Sequence, residues 1–372
     1  MASGTKKLLI GCAIGCGGIV LIGIILVAGF SYWITQPGEL MEPARLLGAD
    51  TTGYAEWTLR SEDPGTERFV EALVDLSGRT QTATTPFPPE LERYLKGWQD
   101  GRNRKNLKLL FPLVAAWTLR PGDADGRDHH LFSASLKMLG NKMVLVDWML
   151  GWSFVRGDGG EFRKIPYRDD RIYQLHLDSG AEPTFFIRGN DMFFTLDLKT
   201  AQQAIDRMAD PAPPQREPTP LDGLFAGAPA DRPLRAALTN GRGEIFRLWR
   251  KVAVAVPDAR AVEEITGQLG GAILSGGLTG EGSMEGRIEL IAPDATWAAA
   301  HREEALAAFQ AGLGYEGLKV AATAGSEAER IRIDFRLDDI PAFLGRMVDR
   351  LGEKIEDTAR RIGSEPGDQG AQ

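Results

Sequence analysis

From Leu8 to Ile34 the chain carries no charged side chain, and most residues of the run are Leu, Ile, Val, Ala, Gly or Cys. A helix needs about 20 consecutive apolar residues to cross a bilayer core of about 30 Å, so the run is long enough to span with some tilt. Phe30, Tyr32 and Trp33 close it with aromatics of the kind that settle at an interface, and Pro37 stops the helix. The run therefore predicts a transmembrane helix over residues 8–34. No comparable run follows, so the expectation is a single-pass protein.

Charge sets the expected orientation. Lys6 and Lys7 precede the run, whereas Glu39 and Glu42 come before the first basic residue after it, Arg45. The positive-inside rule then leaves residues 1–7 as a cytoplasmic stub and places the bulk of the chain outside an inner membrane as a periplasmic domain. A cleaved signal peptide has an apolar stretch of 7–15 residues and a small-residue cleavage site, and the Phe-Ser-Tyr-Trp-Ile end of this run fits a signal-anchor better. Leu9-Ile10-Gly11-Cys12 has the look of a lipobox, but only three apolar residues precede Cys12 where a full apolar region is needed. Both cysteines, Cys12 and Cys16, lie inside the run, beside Gly11 and Gly15. A Gly-x-x-x-Gly stripe lets two membrane helices approach closely, which makes Gly11 and Gly15 the candidate face of a homodimer.

The remainder reads as two halves. Pro211, Pro213, Pro214, Pro218, Pro220, Pro229 and Pro233 crowd residues 209–233 into a predicted extended linker between 44–208 and 234–362, with a polar tail at 363–372. Each half shows the order β-α…β-β-α, which suggests an internal duplication. In the first, an alternating strand over 49–59 precedes a helix opening at Pro64-Gly65. Strands at 115–119 and 131–136 pair, and a strand lies at 172–177. A hairpin turns at Gly189-Asn190, and a helix covers 198–208. The run Met143–Val155 places Val144, Val146, Trp148, Leu150, Trp152 and Phe154 on one face of a predicted strand. In the second half, a strand at 234–238 leads to a helix, then to a hairpin of 272–277 with 284–291. A helix capped by Asp294 follows, then a hairpin turning at Gly325-Ser326, and a helix after Asp338-Asp339. The predicted class is α+β, an antiparallel sheet with helices mainly on one face, below a transmembrane helix.

Signals for chemistry are sparse. No Gly-x-Ser-x-Gly, P-loop or His-Glu-x-x-His occurs, so neither a catalytic residue nor a cofactor is expected. A net charge of −8 and a pI near 5.3 argue against a nucleic-acid partner. Asp123, Asp125 and Asp128 surround Gly126 ahead of His129-His130 and form the one metal candidate, although Arg127 interrupts them and Asp and Gly also suit a hairpin tip. His176 and His301 have no Cys or Ser neighbour and read as structural. The basic run from Arg93 to Lys108 beside Trp98 reads as a solvated face. Trp148 and Trp152 are the candidate residues for an apolar-ligand groove.

The order Lys6-Lys7, apolar run and Pro43-Ala44-Arg45-Leu46-Leu47-Gly48-Ala49-Asp50-Thr51-Thr52-Gly53-Tyr54-Ala55 resembles a family of bacterial single-pass, membrane-anchored extracytoplasmic proteins without established activity. The resemblance carries over no activity and assigns no site residue; the anchor and the absence of a catalytic constellation point to an envelope location and a partner protein there. The expected function is a non-catalytic interaction or scaffold protein held at the lipid bilayer. The alternative is a carrier or sensor of an apolar ligand, a lipid or lipid-linked molecule, in a Trp-rich sheet–helix groove.

Overall fold

Alternation along one strand shows how the architecture arises. In Arg330–Asp338, Ile331, Ile333 and Phe335 are buried, whereas the side chains between them are charged and partly exposed. Such a strand must cover one face and leave the other wet, and its neighbours inherit the faces through their register.

The structure is a computed structural model that describes residues 40, 42–66, 68–69, 111–122, 128–136, 147, 162–175, 184–209, 217–252, 259–280, 282–313 and 318–340. Its strands are β1 (Gly53–Leu59), β2 (Leu113–Arg120), β3 (His129–Leu136), β4 (Phe162–Tyr167), β5 (Asp170–Leu175), β6 (Thr184–Arg188), β7 (Asp191–Thr195), β8 (Leu234–Thr239), β9 (Gly271–Leu278), β10 (Met284–Ile291), β11 (Lys319–Glu327) and β12 (Arg330–Asp338). Its helices are α1 (Leu198–Ala209), α2 (Pro220–Ala226), α3 (Glu244–Val252), α4 (Ala259–Gln268) and α5 (Ala295–Gly312), with a 3-10 turn at Pro43–Leu46. All twelve strands form one antiparallel sheet, in the order β11-β12-β10-β9-β8-β1-β2-β3-β7-β6-β5-β4.

The order repeats outward from the β1–β8 seam. On one side run β1-β2-β3-β7-β6, on the other β8-β9-β10-β12-β11, and the β4–β5 hairpin extends the first side. Two units of one topology thus meet edge to edge, and the seam pairs Gly53 with Leu238 through to Trp57 with Leu234.

Register then shows that the helices occupy both faces. Phe193 packs under α1 with Leu131, Ile172 and Phe186, against Ala201, Ala204 and Ile205. Traced across the ladders, Phe193 shares its face with Ser133, Ala116, Glu56, Arg235, Ser275, Arg287 and Asp334. Ile331 and Ile333 face the other way and pack with Ile288 and Leu290 against Ala298, Ala305, Leu306 and Phe309 of α5. Helix α2 covers the α1 face near the seam, with Leu221, Leu224 and Phe225 over Tyr54, Ala116 and Ala237. On the α5 face, Trp57, Leu59 and Leu113 join Phe69, Phe111, Leu318 and Ile340 in a further core. Where β10 meets β12 the packing needs a glycine: a Cβ on Gly286 would lie 2.6 Å from Phe335 Cζ and 2.7 Å from the Ser275 carbonyl oxygen.

The expected fold class is therefore corrected. Among the described residues a single twelve-stranded sheet dominates, and the helices divide between its faces instead of gathering on one. Alternation marks an apolar face on each strand, but which helix covers it depends on pairings far apart in sequence. The expected transmembrane helix finds no support in the structure either. Among the described residues no helix is long and apolar enough to cross a membrane; the longest, α5, is interrupted by Arg302, Glu303 and Glu304. The run 8–34, with Gly11 and Gly15, lies outside the described residues.

Other local expectations divide. The pairings of 115–119 with 131–136 and of 272–277 with 284–291 are present. So are the Gly189 turn, with φ +61°, and the Asp294 cap, whose carboxylate accepts from the Trp297 amide at 2.8 Å. The last hairpin turns instead at Ala328-Glu329, and Gly325-Ser326 lies within β11. Residues 220–226 of the Pro-rich stretch are helical, because Pro220 suits a first turn and the Asp222 carboxylate accepts from the Thr219 amide at 2.7 Å and from its hydroxyl at 2.9 Å. Of the run Met143–Val155 only Asp147 is described, and it is helical. The helix expected after Asp338-Asp339 lies outside the described residues beyond Ile340.

Phe186 is fully buried and stacks on Phe193 at 4.6 Å between ring centres. The variant Phe186→Ala is expected to lose about 3–5 kcal/mol, read as a lowered urea midpoint. A loss below about 1 kcal/mol would show that this contact is not part of the core.

Candidate functional site

One cross-strand row on the α5 face is made entirely of aromatic side chains. Trp117 on β2 pairs with Phe132 on β3, Phe132 with Phe194 on β7, Phe194 with Phe185 on β6, and Phe185 with Tyr173 on β5. Directly opposed residues in an antiparallel sheet bring their Cβ atoms to about 4.5–5.5 Å, so five aromatics in register make a continuous ridge. Its outer end is anchored. Tyr173 is buried, stacks on Phe185 at 5.0 Å, and donates its hydroxyl to Asp147 Oδ1 at 2.8 Å. Burial, and then the Asp147 carboxylate, push the Tyr173 phenol well above its ordinary range.

The middle of the row is open. Phe132 is 45% exposed and Phe194 42%, with Met192 at 38% and Leu196 at 52% beside them. Large apolar side chains scattered singly are ordinary on a protein surface, whereas these four lie close together, which makes them the candidate site. The Phe132 and Phe194 rings lie 6.4 Å apart and tilted. Trp117 borders the patch and donates Nε1–H to Nδ1 of His130 at 3.3 Å.

His129 faces the opposite way, as strand alternation requires. Its Nδ1 lies 3.2 Å from Asp197 Oδ2 and 3.1 Å from Thr200 Oγ1. A catalytic relay needs the nucleophile on one ring nitrogen and the orienting acid on the other. Here both contacts fall on one nitrogen, and the Thr200 hydroxyl donates directly to Asp197 at 2.7 Å. The group is the N-terminal cap of α1, where Asp197 Oδ1 also accepts from the Thr200 amide at 2.7 Å. Burial works against the Asp197 carboxylate, but the bonds from Thr200 and His129 outweigh it and hold its pKa below the ordinary value. Among the described residues no nucleophile, general base and orienting acid are brought into line.

A depression of about 610 Å³ lies against the last strands. Arg232, Glu285, Arg287, Asp334 and Arg336 contribute to its wall, so it is not the apolar groove expected of a lipid carrier. Its ladder arginines are answered by carboxylates. Arg287 Nε meets Asp334 Oδ1 at 2.8 Å, Arg332 Nε meets Asp334 Oδ2 at 2.8 Å, and Arg336 bonds Asp338 at 2.7 Å and Glu285 at 2.9 Å. Such a ladder keeps a sheet face solvated without a surplus charge to draw an ion.

Most of the sequence candidates lie outside the described residues. Asp123 and Asp125 lie outside the described residues, while the Asp128 carboxylate is 3.1 Å from Nη2 of Arg247. His129 and His130 project from opposite faces of β3, so they cannot share an ion. Among the described residues no group of three metal-ligating side chains is found. Trp148, Trp152, His176 and the basic run 93–108 lie outside the described residues. His301 stacks on Trp297 at 4.2 Å within α5, a structural contact. The exposed patch was missed in sequence because Phe132 and Phe194 are 62 positions apart and only their pairing makes them neighbours. The available signal was weak: Phe193-Phe194 after a Gly-Asn turn guarantees that one of the two phenylalanines faces away from any helix on the other side.

No protein family, no curated protein and no solved structure matches this chain.

The depressed Asp197 predicts a pH dependence. A carboxylate whose folded pKa lies below the unfolded value of about 3.9 contributes stability above that value and loses it as pH falls through the folded pKa. Asp197→Ala is expected to cost about 1 kcal/mol near pH 7, and its gap from the native chain should narrow steadily below about pH 4. Urea midpoints measured across pH 2–7 check this, and a gap independent of pH would contradict it.

Proposed function

We propose that the protein is a non-catalytic interaction protein that docks an apolar surface of a partner on its sheet. The observation that supports the reading is the contiguous exposure of Phe132, Met192, Phe194 and Leu196 at the centre of an aromatic row. A sheet face is a rigid platform, and aromatic anchors lose little conformational freedom when a partner covers them, which is why such residues dominate binding energy at interfaces. The solvated charge ladder on the other face of the second unit is unsuited to apolar docking, so the patch has a defined place on the molecule.

The test is affinity capture from a native extract with the full chain and with Phe132→Ser/Phe194→Ser. Both phenylalanines are already exposed, so the variant should keep the native thermal midpoint within about 2 °C. Proteins retained by the native chain and lost by the variant support the proposal. An identical set with both would remove the patch from the binding surface.

A further inference from the structure

The sheet has two ends, and they are built differently. At one end β4 carries Pro166, which has no N–H to offer, together with Arg163 and Lys164; these are devices that discourage pairing of an edge strand. At the other end β11 is nine residues long, free of proline, and paired among the described residues with β12 alone. Its side chains are small: Ala321, Ala322, Thr323, Ala324, Gly325 and Ser326 lie between Lys319 and Glu327. An open, proline-free edge is a template for another strand.

We propose that β11 pairs antiparallel with β11 of a second copy of this chain, about a two-fold axis through Thr323. Charge complementarity selects this occupant. In the register that pairs all nine residues, Thr323 lies opposite Thr323, Ala321 opposite Gly325, and Lys319 opposite Glu327 of the other copy. Odd-numbered residues of β11 share the charged face, because Lys319 pairs with Asp338 and Glu327 with Arg330 within one chain. The pairing therefore extends the existing ladder in alternating sign: Asp338, Lys319, then the other copy's Glu327 and Arg330. A slip of two residues sets Lys319 against Gly325 and breaks the alternation. The opposite face brings Ala322 against Ala324 and Val320 against Ser326, with no bulky group to hold the backbones apart. Such an interface is isologous, so each charge match occurs twice. It uses a different surface from the apolar patch and stands without it.

The experiment uses the full chain. Sedimentation equilibrium over about 1–100 µM, the range suited to an interface of less than standard size, should show a monomer–dimer equilibrium. Lys319→Glu should weaken it on the order of tenfold, because two opposed pairs turn repulsive, and Lys319→Glu/Glu327→Lys should restore it. In a Cys12→Ser/Cys16→Ser background, Thr323→Cys should form a disulfide-linked dimer under mild oxidation, since opposed Cα atoms lie within bridging distance. Ala321→Cys alone should link far more slowly, while mixed Ala321→Cys and Gly325→Cys chains should link to each other. A monomer throughout the range overturns the proposal. So does a dimer indifferent to the charge reversal, or equal linkage by Thr323→Cys and Ala321→Cys.

Discussion

The hydrogen-bonded seam between β1 and β8 is the interaction on which the rest of the structure depends. Each unit ends its own strand order there, and without the seam each would expose a long bare edge at its centre. The seam also fixes face identity. Once Ala55 stands opposite Ala236, every residue out to Tyr173 on one side and Ile333 on the other is assigned to a face by pairing alone. A displacement of one residue at this point would send the apolar positions of one unit to the wrong side relative to the other. Helix α2 packs across it through Tyr54 and Ala237, so the stretch connecting the units also stabilises their junction.

The distribution of helices follows. Helix α1 shields one face of the first unit and α5 the opposite face of the second, so each face is partly covered and partly open. The open areas differ in chemistry. On one, Arg287, Arg332 and Arg336 meet water as a network shared with Asp334, Asp338 and Glu285. On the other, Phe132 and Phe194 meet it as bare rings. A polar ladder and an aromatic patch on one sheet are two answers to an uncovered face, and only the first is what solubility alone would favour.

Local signals in the chain were legible where one interaction decides the outcome. Gly189 sets a hairpin because the turn needs a positive φ, and Asp294 starts a helix because its carboxylate reaches an orphan amide. The strand order is the same on the two sides of the seam, while the helix after Asp338-Asp339 that would complete the repeat lies outside the described residues. What could not be read was anything decided by distant pairing. Alternation in β3 shows that Phe132 and Ser133 face opposite ways, but not that Ser133 is buried and Phe132 exposed. Of the Asp-rich stretch at 123–128 only Asp128 is described, and what could not be read there was that the fold brings Arg247, 119 positions away, to its carboxylate. The long apolar run suggested a membrane span from composition alone, and no helix among the described residues has that character.

Pro166 has a consequence beyond its own strand. A sheet with two receptive ends can add copies indefinitely, as fibrils do. A sheet with one receptive end and one blocked end can join a single copy of itself and then has no strand left to offer. One missing amide at the periphery of β4 thus separates a bounded particle from an unbounded filament, and does so without any contact near the centre of the molecule.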